Sequence, residues 1–135
     1  MNFIDKAFEN HLQGDDFLQA MTDIYSECEI REQLDQYAPF VKDVILIIDY
    51  DTELQMEGLD AVIYGSLKEQ LPEIIQALEC CGAAQEADVL RQAGALTQKE
   101  YEQNYDSICD KLAINNDYDE FWDLVRNYIN ISLQN

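Results

Sequence analysis

The chain has 135 residues, the size of one domain and too short for two ordinary ones. Its 47% hydrophobic content supplies a core and excludes a disordered chain, while 28 Asp and Glu against 8 Lys and Arg leave a net charge of −20. That charge repels phosphate backbones and anionic membranes, so direct nucleic-acid or membrane binding is excluded, whereas basic proteins are attracted.

Apolar residues recur at helical spacing along most of the chain, which predicts an all-α fold: one compact domain over residues 1–135, a bundle of about six to eight helices. Phe3, Ile4, Ala7, Phe8, His11 and Leu12 mark one face of a first helix, and this places His11 on the inner stripe. Gly14 breaks that helix, and Asp15 or Asp16 is positioned to cap the next. Phe17, Met21, Ile24, Tyr25 and Cys28 form a second stripe. Pro39 suits the first turn of a third helix, followed by Phe40, Val41, Val44, Ile45 and Ile48. The run Val44 to Ile48 would also make a buried strand. Helix is preferred because Pro39 opens the segment and no partner strand is evident. A helix apolar nearly all round belongs at the centre of the fold.

Pro72 starts a further helix with Ile74, Ile75, Leu78 and Cys81 on one side, and Gly82 ends it. Ala84, Ala87, Leu90 and Ala93 continue as a stripe of mostly small residues, and Gly94 is expected to close it. Thr97 to Glu100 reads as a capping box ahead of Tyr101, Tyr105, Ile108, Cys109 and Leu112. Asp117 to Glu120 opens a last helix with Phe121, Leu124, Val125, Tyr128 and Ile129 inward.

Motifs for chemistry are sparse. Asp49-Tyr50-Asp51-Thr52-Glu53 starts like a calcium loop, but the glycine required at the sixth position is Leu54, and the twelfth is Asp60. Cys28, Cys80, Cys81 and Cys109 contain no C-x-x-C pair, and His11 is the only histidine, so no metal or cofactor is expected. The cysteines read as buried thiols in a reducing cytosol. The N-terminus lacks the basic and apolar regions of a signal peptide, and no run approaches the roughly 20 apolar residues of a membrane span. The expected location is the cytoplasm. Tyr50 and Tyr118 each stand between two acids, a pairing suited to anchoring an interface with an arginine-rich surface.

Glu53 to Leu59, followed by Leu71 to Ala83, resembles a widespread bacterial family of acidic helical domains, one branch of which is described as DNA-mimic proteins. The family's Asn-Gly-Gly-Phe-like turn stands here as Met56-Glu57-Gly58-Leu59. Its ALE-x-x-GA helix end is Ala77-Leu78-Glu79 with Gly82-Ala83. Spaced alanines (Ala84, Ala87, Ala93), an Asp-rich turn (Asp117 to Asp119) and a closing Tyr128-Ile129 follow. The resemblance covers roughly residues 17–130. It implies an all-helical fold, often dimeric, a DNA-mimic role for some members, and no enzyme activity.

The resulting expectation is an acidic interaction module that binds and blocks a basic protein such as a DNA-binding transcription regulator or a nuclease. One alternative is an immunity protein that plugs a cognate toxin; a weaker one is an enzyme with an enclosed carboxylate cluster. The acidity serving only solubility is the bland reading. Candidate contact residues fall in two groups. Asp15, Asp16, Asp23 and Glu27 lie on the second helix, and Asp49, Tyr50, Asp51, Glu53, Glu57 and Asp60 around the end of the third.

Overall fold

The computed structural model describes residues 1–134. Nine α-helices and three 3₁₀ segments make up the described residues, with no strand among them. The α-helices are α1 (Phe3–Glu9), α2 (Gly14–Met21), α3 (Pro39–Glu57), α4 (Leu59–Ile63), α5 (Leu71–Cys80), α6 (Ala84–Ala95), α7 (Gln98–Lys111), α8 (Ala113–Asn116) and α9 (Tyr118–Leu133). The 3₁₀ segments are Thr22–Tyr25, Cys28–Gln36 and Lys68–Gln70.

The Val44 to Ile48 run is helical, and α3 is the axis of the fold. Pro39 opens it, and Val41, Val44, Ile45 and Ile47 are wholly buried. α2, α4, α5 and α9 pack around it. A fully surrounded helix satisfies its own backbone groups and therefore needs no neighbouring strand. Several of the anticipated helix ends are present. Thr97 and Glu100 form a reciprocal capping box, and Asp117 accepts from the Glu120 amide at 3.0 Å. Gly82 takes φ +90° after α5, while the Ala83 amide reaches back to the Leu78 carbonyl at 2.8 Å.

Several expectations fail for local reasons. His11 is exposed rather than on an inner stripe, because α1 stops at Glu9 and His11 turns the chain with φ +54°. The Leu12 amide bonds the Ala7 carbonyl across that turn, a C-terminal cap made without glycine. Neither Asp15 nor Asp16 caps α2; both sit in its first turn, where a carboxylate favours the positive end of the helix dipole. Gly94 lies within α6 instead of closing it, and a Cβ there would stand 3.3 Å from Leu71. Leu124 is partly exposed. Of the four thiols only Cys81 is buried; Cys28 and Cys80 are exposed. The Cys28–Gln36 segment was not anticipated at all. It buries only Ile30 and Leu34.

Candidate functional site

α3 ends at Glu57, and Gly58 turns the chain into α4 with φ +88°, an angle that side chains strain to adopt. The turn brings Asp60 into one groove with Glu53 and Glu57. Tyr64 and Ser66 complete its walls, and among the described residues no Lys or Arg lines it. Glu53 and Glu57 are one helical turn apart, about 6 Å along the axis.

Neutral donors hold two of these acids, Glu53 and Asp60, in place. The Ser66 hydroxyl donates to Glu53 at 3.2 Å, and the Tyr101 hydroxyl donates to Asp60 at 2.7 Å. From the groove wall inward, Tyr64, Tyr101 and Tyr105 pack edge to face, with centroids 5.1 and 5.7 Å apart. Burial first, and the bond to Asp60 second, push the Tyr101 phenol well up, so it remains a donor throughout the neutral range.

The same device recurs across the molecule. Tyr25 donates to Asp49, Tyr37 to Asp5, Tyr50 to Glu86, Tyr118 to Asp51 and Tyr128 to Asp43, each at 3.0 Å or less. With Tyr101, six of the eight tyrosines hold a carboxylate. A phenol fixes the rotamer of an acid without cancelling its charge, which a Lys or Arg partner would do. Arg31, Lys42, Arg91 and Arg126 pair with seven carboxylates among the described residues.

The structure divides the second predicted group. Tyr50 is 0% exposed and bonded to Glu86, so it belongs to the core and anchors no interface. Asp49 is 8% exposed and receives both Arg31 nitrogens, at 2.7 and 2.9 Å. That bond raises the Arg31 pKa further, and Tyr25, desolvated beside the pair, is pushed up to about 12. Asp49 is therefore a structural ion pair rather than a free charge. Asp51 faces α9, where Tyr118 donates to it at 2.6 Å. Glu53, Glu57 and Asp60 are the members brought together.

The first group is spread out. Asp15 and Asp16 are exposed on α2, but Asp15 accepts from Arg126 at 3.0 Å. Asp23 is exposed on the first 3₁₀ segment, and Glu27 precedes the second, so neither is on the second helix. Sequence reasoning missed the roles of Tyr101, Ser66 and Arg31. A count of eight tyrosines beside 28 acids was the available signal.

Among the described residues, no group of His, Cys, Asp and Glu side chains is placed to hold a metal ion, and no helix is long and apolar enough to cross a membrane. The model of the DMP19-like protein family matches residues 35–131, well over half of the chain. The chain belongs to the DMP19-like family. The DMP19-like region runs from the end of the second 3₁₀ segment into α9. It contains the groove acids and leaves out Asp15, Asp16, Asp23 and Glu27, starting later than the resemblance near residue 17 implied. No curated protein and no solved structure matches the chain at a significant level.

Proposed function

We propose that this DMP19-like chain is a DNA mimic, an acidic module that occupies the nucleic-acid surface of a basic DNA-binding protein. The observation that carries the reading is the Glu53–Glu57–Asp60 groove, in which hydroxyls hold Glu53 and Asp60 and no cation lines the walls among the described residues. A mimic needs negative charges that are fixed and unneutralised, because the partner's Lys and Arg side chains are set for phosphates in a repeating array. The spacing of Glu53 and Glu57, about 6 Å, is close to the axial span of two phosphate steps on one DNA strand. Tyr64 at the rim adds an aromatic face for guanidinium groups. Family membership supports the same role.

The test is capture from native lysate with mass spectrometry, followed by gel-shift competition between the captured protein's DNA and this chain. The reading expects a basic DNA-binding protein that is displaced from DNA as this chain is added. A stable complex holding DNA and this chain together on the partner would overturn it.

A further inference from the structure

A second cleft, distinct from the acidic groove, lies between α2, α3 and α9. Asp51 and Thr52 of α3 face Tyr118, Trp122 and Arg126 of α9 across it. Its volume of about 250 Å³ falls below the roughly 300–1,000 Å³ of pockets for drug-sized ligands, and suits a single long side chain.

Trp122 is 6% exposed, and its indole Nε1 is the one buried side-chain polar atom without a hydrogen-bond partner among the described residues. Folded proteins seldom leave such a donor unpaired. Tyr118 packs edge-on to it, with ring centroids 6.3 Å apart. Burial first, and the bond to Asp51 second, raise the Tyr118 pKa, so the phenol keeps its proton. The Tyr118 hydroxyl donates to Asp51 at 2.6 Å, and its oxygen lies outside bonding geometry for the indole N–H. Tyr118 is 48% exposed and is the first residue of α9, so its ring lies at the open side of the cleft.

The electrostatics favour a cation. Arg126 is already bonded to Asp15 at 3.0 Å and Asp123 at 2.8 Å. With Asp51, the acids around the cleft outnumber this one positive charge. An occupant must therefore bring positive charge to Asp51 and an acceptor to Trp122. A guanidinium meets a carboxylate with two parallel bonds and stacks on aromatic rings, which an ammonium does not do.

We propose that this cleft anchors an arginine side chain of the basic partner: its guanidinium displaces the Tyr118 hydroxyl from Asp51, and a carbonyl of the same segment accepts from the uncovered Trp122 Nε1–H. The proposal rests on the reading of the chain as a binder of a basic protein.

Trp122 is the sole tryptophan, so its indole N–H gives a single signal in a nitrogen-correlated NMR spectrum. The probes are Nα-acetyl-arginine methylamide and its citrulline counterpart, a neutral molecule of nearly the same shape. The arginine probe should shift the indole signal saturably, with a dissociation constant in the millimolar range expected of a single weak contact. Citrulline should leave the signal in place. Asp51→Asn should weaken the arginine probe about tenfold, since it removes the charge that assists the paired bonds and leaves a single acceptor oxygen. Tyr118→Phe should tighten binding, because Asp51 loses its internal competitor. A silent indole, an equal response to citrulline, or unchanged affinity in Asp51→Asn overturns the proposal. The partner reading has a separate readout in the competition with DNA. If that competition holds while the indole stays silent, the anchor fails alone; if it fails, the reading falls with it.

Discussion

The Tyr50 hydroxyl donates a hydrogen bond to Glu86 at 2.8 Å inside the core, where both residues are 0% exposed. Glu86 also accepts from the Ala113 amide at 2.6 Å and the Ile114 amide at 3.4 Å. One glutamate on α6 therefore ties the central helix to the start of α8. An unpaired buried carboxylate would be intolerable there; three donors make it a junction.

Glu86→Ala should be far more damaging than Tyr50→Phe. The first strands a hydroxyl and two backbone amides, at about 1–3 kcal/mol for each unsatisfied group, so a loss of about 3 kcal/mol or more is expected. The second removes one donor and should cost about 1 kcal/mol. Urea unfolding of the two variants measures both, and a reversed order would contradict the junction.

Stability should increase as the pH falls from 7 toward 5. Burial raises the pKa of Glu86 and of Asp43, against the pull of their hydrogen-bond donors. The folded state then holds protons that the unfolded chain has released. Stability from these groups is fully present below the ordinary carboxylate value of roughly 4, and is lost as the pH rises through the raised folded-state values. Relief of self-repulsion in a chain of net charge −20 acts in the same direction. Melting temperatures at fixed ionic strength test this, and Glu86→Gln with Asp43→Asn should flatten the slope. A steady fall in melting temperature from pH 7 to 5 would contradict it.

Arg31→Gln should destabilise the domain by about 2 kcal/mol. It leaves Asp49 buried with only Tyr25 as donor, and it releases the Cys28–Gln36 segment from α3. Breaking a fully buried pair costs roughly 3–5 kcal/mol; the Arg31 side chain is 38% exposed, and solvent screening brings the loss below that range. Arg31→Lys should recover only part of the loss, because an ammonium cannot make the two-pronged contact. Denaturant titration of both variants is the check; a neutral Arg31→Gln would show the pair to be ornamental.

The helices were legible because their ends are written locally. Pro39, Gly82, the Thr97–Glu100 box and Asp117 each act within a few residues of their own position. The site was legible only in part, for a geometric reason. Successive residues on a helix point about 100° apart, so Asp49, Tyr50 and Asp51 face Arg31, the core and α9 respectively, although they read as one cluster. Glu53 and Glu57 do share one groove, because four residues along a helix return to the same face. The phenol–carboxylate pairs join residues 24 to 85 positions apart, a separation that no local pattern encodes. His11 was misplaced because a histidine ended a helix where a glycine usually does.

The most direct test of the mimic is the association of the captured basic partner with the triple variant Glu53→Gln, Glu57→Gln, Asp60→Asn. These changes keep shape and polarity while removing three groove charges, none of them paired with a cation among the described residues. Surface-binding kinetics at several salt concentrations should show slower association and weaker affinity for the variant. They should also show a shallower salt dependence than for the parent chain, with the melting temperature preserved. Unchanged association, or an affinity indifferent to salt in the parent chain, would contradict the account and leave the acidic groove as solvation alone.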